Sequence, residues 1–130
     1  MVQINSIFKN LFKFRGFIGS LKLAVAGIGY LILYHRNMRI IFLAGLFFFS
    51  VGIYFKLKGI ELVALCITIT LVFMAEIFNT AIELMLDMTT HKYHTLIKLI
   101  KDISAAVVLV ASLNAVGIGI VLFGKRIFGW

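Results

Sequence analysis

From Ile103 to Phe123 the chain reads ISAAVVLVASLNAVGIGIVLF without one charged side chain, and a run of that kind has few places to go. About 20 helical residues at 1.5 Å each cross the ~30 Å hydrocarbon layer of a bilayer. In lipid, only a helix satisfies its backbone polar groups within a single segment. Two further stretches qualify: Met38–Phe55 (MRIIFLAGLFFFSVGIYF), charged only at Arg39, and Ile60–Leu86, whose second half carries acids. The whole chain is 130 residues, 62% hydrophobic, with no proline. Ordinary globular domains are about 45–50% apolar, and one core of this size cannot hide the excess. The expected class is an all-α integral membrane protein, one domain over residues 1–130 with no linker or repeat.

The N-terminal part is different in kind. Ile4, Ile7, Phe8, Leu11 and Phe12 recur at helical spacing among Lys9, Lys13 and Arg15, the pattern of a basic amphipathic helix lying in the membrane surface. Phe17–Leu33 is apolar apart from Ser20 and Lys22, and charge decides how it is read. As a span it would leave cations on both sides. As part of an interfacial helix over 1–34, it puts Lys9, Lys13, Arg15, Lys22, Arg36, Arg39, Lys92, Lys98 and Lys101 on the cytoplasmic side, against Lys56, Lys58, Lys125 and Arg126 outside. That asymmetry follows the positive-inside rule. The expected layout is therefore three transmembrane helices, 38–55, 60–87 and 101–123, with the N-terminus inside and the C-terminus outside. Lys56–Gly59 and Met88–Lys98 are the connections, and Trp130 is an expected anchor in the outer interface.

A formal charge of +8 raises nucleic-acid binding, but the cations flank apolar runs and no soluble basic domain remains to carry them. Anionic headgroups explain them more simply, and no nucleic-acid partner is expected. Cys66 is the sole cysteine, and a lone thiol builds neither a disulfide nor a metal framework.

The chemistry lies in AEIFNTAIELMLD, Ala75–Asp87. Each acid there costs roughly 2.5–3.5 kcal/mol at mid-bilayer. At 100° per residue, Glu76, Asn79, Glu83 and Asp87 share a helix face about 80° wide, with Thr80 at its edge. Ile77, Leu84 and Met85 lie opposite. One polar stripe implies a polar partner. A seam that only joins helices would use Asn, Ser and Thr and has no need of three acids. Clustered carboxylates need a counter-charge. A divalent cation bound by hard oxygens, with a nucleotide phosphate, and the nearby Lys101 are the candidates. His91 and His94, three apart in a polar loop, read as interfacial residues. Ala111, Ala115 and Gly119 form a small-residue ridge suited to close helix packing.

AEIFNTAIELMLD, followed by Lys92–His94 (KYH) and Lys101–Ala106 (KDISAA), resembles the prokaryotic diacylglycerol kinase and undecaprenol kinase family. Ser20–Ile28 (SLKLAVAGI) and Arg36–Ile40 (RNMRI) also match, so the likeness runs over about residues 8–123 with spacings kept. It implies a homotrimer in the bacterial inner (cytoplasmic) membrane, with active sites on the cytoplasmic side shared between neighbouring subunits. The reaction implied moves the γ-phosphoryl of MgATP to the hydroxyl of a membrane lipid, diacylglycerol or undecaprenol. By motif roles, Glu76 is the general base and Asn79 orients that carboxylate or the phosphate. Glu83 binds Mg²⁺, and Lys101 and Asp102 belong to the ATP site, together with His94 and Arg39. Thr80 and Asp87 complete the polar face. Those parts suffice chemically, because phosphoryl transfer is chiefly positioning plus neutralisation of phosphate charge. No P-loop motif occurs in the chain.

Three positions depart from the family pattern. His35 stands where a metal-binding glutamate is usual, Ile41 where histidine follows the R-I pair, and Leu23 where tyrosine is usual. Imidazole binds metal but prefers softer ions than Mg²⁺. Besides the kinase, the sequence therefore leaves a catalytically weakened, structural member of the family and, from the acid stripe alone, a small ion-conducting oligomer.

Overall fold

A computed structural model of the chain describes residues 14–89 and 94–129. The amphipathic stretch 4–12, His91–Tyr93 and Trp130 lie outside them. Among the described residues the structure is helical, with four helices and no strand. They are α1 (Phe14–Tyr34), α2 (Arg36–Tyr54), α3 (Ile60–Asp87) and α4 (His94–Phe128). All four contain a stretch long and apolar enough to cross a membrane, the one in α1 being Gly16–Tyr34. By length and composition α1 thus qualifies as a span. Its reading as a surface helix rests on charge distribution.

The chain divides into two units at Arg36. In the N-terminal unit, α1 keeps its Ser20 hydroxyl in its own backbone, donating to the Gly16 carbonyl at 2.8 Å. It stops at His35, whose N–H donates to the Leu31 carbonyl at 2.9 Å. The Tyr30 ring lies 4.9 Å from that of Tyr34 and 5.9 Å from the His35 imidazole, centroid to centroid.

In the second unit, α3 and α4 form the main packed pair, and α2 lies against α3 through two glycines. A Cβ on Gly45 would come within 2.9 Å of an Ile69 methyl, and one on Gly52 within 2.5 Å of a Leu65 methyl. Leu57, Leu65 and Leu122 make the buried apolar core, with Leu62, Ile69, Ile118 and Phe123 packed on it. Most other large apolar side chains face outward, as expected of helices solvated by acyl chains rather than water. Gly52→Val forces three extra carbons into the Leu65 contact. Overpacking of this sort costs about 1–3 kcal/mol, so the variant should unfold several degrees lower in detergent, whereas valine at exposed Gly117, with open space around it, should not.

The α2–α3 connection is a helix stop closed by hydrogen bonds. Lys56 takes the left-handed conformation at φ 59°. Its N–H donates to the Ile53 carbonyl, and the Leu57 N–H reaches back to Gly52, each at 3.0 Å. That is the paired bonding of a Schellman end, with lysine where glycine is usual. The carbonyl of Phe55, left over at this stop, accepts from Arg126, and the same guanidinium meets Glu61 at 2.6 Å. This ties the C-terminal end of α4 to the start of α3. The α3–α4 connection is shorter than the expected Met88–Lys98. Helix resumes at His94, so Thr95–Lys98 are helical and α4 runs seven residues beyond the expected span at its start and five at its end. Leaving the bilayer core does not stop a helix when no residue in it breaks it.

Candidate active site at the polar end of the α3–α4 pair

The predicted face of α3 divides in two along its length. Toward the middle of the helix, Glu76, Asn79 and Thr80 are buried, at 5%, 8% and 2% exposure. Two turns further on, Glu83 and Asp87 are exposed. The division follows position along the helix: α4 reaches the first group at Asn79, and the second extends toward the helix end, where α3 stops at Met88 and the Thr89 hydroxyl donates to Leu86 at 2.7 Å.

What α4 brings to this face is polar. Ser104, 6% exposed, donates its hydroxyl to Asn79 Oδ1 at 2.9 Å and sits equally far from the carbonyl oxygen of Lys101. One turn back, Lys101 Nζ reaches Asp87 Oδ1 at 3.1 Å. Asp102 turns the other way and accepts from Lys98 at 2.9 Å along α4 itself. The adjacent Lys101 and Asp102 thus serve different partners, and Asp87 is the carboxylate that meets Lys101. Both members of that pair are well exposed, so it contributes about 1 kcal/mol or less, and a polyphosphate could take the ammonium from Asp87 at little cost.

The other expected residues fall as follows. Arg39 is exposed on the first turns of α2, next to the fully buried Met38. His94 opens α4. His35 belongs to the N-terminal unit, where it ends α1. Leu23 is exposed on α1, and Ile41 lines an apolar groove in the second unit. Ser104 was not among the expected residues. The sequence did hold a signal for it: a hydroxyl at the same helical face as Lys101, three residues on, at the start of an uncharged run.

Every donor on this face is a hard oxygen: carboxylates of Glu76, Glu83 and Asp87, the amide oxygen of Asn79 and the hydroxyl of Thr80. That set fits Mg²⁺ and not a soft metal. Among the described residues no three His, Cys, Asp or Glu side chains gather into a cage. This too suits Mg²⁺, which is usually held by one or two carboxylates and completes its shell with phosphate oxygens and water. Along the pair runs an apolar groove of about 540 Å³. It begins near Val72, one turn before Glu76, follows Thr68, Ile69, Ala115 and Gly119, and ends at Phe128.

A helical bundle with apolar surfaces and one buried acidic face beside exposed lysine and carboxylates defines an integral-membrane protein with polar chemistry at one end. Comparison with known proteins supplies the rest. The family described as prokaryotic diacylglycerol kinase matches residues 22–123, and the chain belongs to that family. It is also 36% identical over 101 residues to a diacylglycerol kinase of Synechocystis sp. (strain ATCC 27184 / PCC 6803 / Kazusa). The match covers 77% of this chain and 58% of that relative's length.

Proposed function

We propose that the chain is an ATP-dependent lipid kinase that moves a γ-phosphoryl group to the hydroxyl of a membrane lipid, diacylglycerol or undecaprenol. The carrying observation is the juxtaposition of buried Glu76 and Asn79 with exposed Glu83, Asp87 and Lys101 on one helix pair. Such a face spans the two environments that the reactants occupy. The lipid hydroxyl comes from the apolar side and the triphosphate from water.

In this reading Glu76 accepts the hydroxyl proton as the oxygen attacks phosphorus. Its seat excludes bulk water, so hydrolysis does not compete with the lipid alcohol. Asn79 and Thr80, buried beside it, hold the reacting groups in line. Lys101 leaves Asp87 for the phosphate oxygens and offsets their charge. Arg39, His94 and Asp102 would border the nucleotide. Mg²⁺, held by Glu83 and with a second ligand from His35, would neutralise the triphosphate and draw charge toward the leaving group. Acyl or prenyl chains would lie along the apolar surface, for which the groove from Val72 to Phe128 offers a track.

The proposed assembly is a homotrimer of three-span protomers with α1 at the interface and the polar end of α3–α4 facing the cytoplasm, in the bacterial inner membrane. The cation distribution supports that orientation. The test is transfer of labelled phosphate from MgATP to each lipid alcohol by the protein in mixed micelles. Product with one alcohol names the substrate. No product from intact oligomers favours a structural role, for which His35, Ile41 and Leu23 are the motive. Cation flux in vesicles without ATP favours conduction. His35→Ala should raise the Mg²⁺ concentration at half-maximal rate several-fold; an unchanged requirement removes His35 from the site.

A further inference from the structure

Ser104 has two oxygen neighbours and one proton. Its Oγ is 2.9 Å from the Asn79 side-chain amide and 2.9 Å from the Lys101 carbonyl. A hydroxyl is one donor with two acceptor lone pairs, so it cannot donate fully to both. A second oxygen at that distance without a proton is repelled, and the site is buried, where an unmade bond costs about 1–3 kcal/mol. The oxygen and nitrogen of an asparagine amide have the same shape. Exchanging them resolves the conflict: Asn79 Nδ2 donates to Ser104 Oγ, and Ser104 donates to the Lys101 carbonyl, the back-bond common for a helical serine. Each contact then has its own proton.

We propose that Ser104 is a positioning residue that orients the Asn79 amide with its nitrogen toward α4 and its oxygen toward the reacting groups. Asn79 then presents an acceptor to the site. It receives a hydrogen bond from the lipid hydroxyl or offers oxygen to a cation, and one of its two N–H donors is held by Ser104. One small side chain on α4 thereby decides the chemical character of a residue on α3. Its catalytic consequence rests on the kinase reading, but the orientation itself does not.

Two measurements separate these. In ¹⁵N-labelled protein in micelles, the Asn79 side-chain NH₂ resonances should move when Ser104 becomes alanine and return toward wild type in Ser104→Thr. Resonances indifferent to Ser104→Ala overturn the orientation whether or not the protein is a kinase. In the phosphate-transfer assay, Ser104→Ala should lower kcat roughly 10-fold to 100-fold, as loss of a residue orienting a functional ligand does, with KM for ATP little changed and Ser104→Thr recovering most of the rate. Asn79→Asp, which keeps an oxygen facing the site, should exceed Asn79→Leu, and the Ser104→Ala loss should vanish in the Asn79→Leu background. A kinase in which Ser104→Ala matches wild type, or in which the two losses multiply as independent ones do, overturns the proposal. Absence of transfer by the wild-type protein overturns the kinase reading alone.

Discussion

Glu76→Gln should reduce lipid phosphorylation about 10²-fold to 10⁴-fold, the range expected when a positioned general base is lost. The substitution is isosteric and removes only the charge. Glu76 is 5% exposed on α3, so a smaller residue would open a cavity and mix a stability loss with the chemical one. Glutamine fills the same volume and leaves no ion to neutralise. The loss should therefore appear in kcat, with KM for ATP and lipid within a few-fold of wild type. Labelled-phosphate transfer under single-turnover conditions, alongside helix content and oligomer size, makes the measurement. A variant that keeps more than a tenth of the wild-type rate cannot have lost its base.

The second large effect is expected at Glu83, and its form differs. Glu83 is exposed, so Glu83→Gln should leave folding untouched. Its proposed work is to hold Mg²⁺ against the triphosphate, and an amide oxygen is a weaker ligand than a carboxylate. The Mg²⁺ concentration at half-maximal rate should rise at least about 10-fold, the lower end for losing a ligand-shell group, and excess Mg²⁺ should restore part of the rate. No amount of Mg²⁺ should restore Glu76→Gln. Equal metal response in the two variants would mean that the two carboxylates share one job.

These variants could be chosen from the sequence, because the features that carry them are local. Acids four, seven and eleven residues apart on an apolar helix, with an asparagine three residues after the first, fall on one face by helix geometry alone. The structure buries Glu76, Asn79 and Thr80 together on α3, and Asn79 meets Ser104 of α4. The bounds of α3, Ile60–Asp87, follow from where apolar periodicity starts and stops. Features that depend on a partner far along the chain were less legible. Periodicity says nothing of whether Lys101 turns to its neighbour Asp102 or to Asp87 across the gap. The ion pair of Arg126 with Glu61 joins residues 65 apart, and each alone reads as a charge flanking a span. Gly45 and Gly52 look like two more small residues in an apolar run until Ile69 and Leu65 are seen against them. The helix α4 begins at His94, before the expected span at 101, since a helix leaving lipid for water has no reason to end at the boundary.

The tie between Arg126, Glu61 and the Phe55 carbonyl has a consequence for how this sequence can change over time. It fastens one extremity of α3 to α4, while Asn79–Ser104 and Asp87–Lys101 fasten the other. The intervening stretch then acts as a ruler. Its side chains are free to interchange among apolar types, but losing one residue turns everything beyond it by about 100° and draws it in by about 1.5 Å. Neither fastening could then close without breaking its counterpart. Drift between Glu61 and Asn79 is confined to substitution, and insertions or deletions must find their place in the turns.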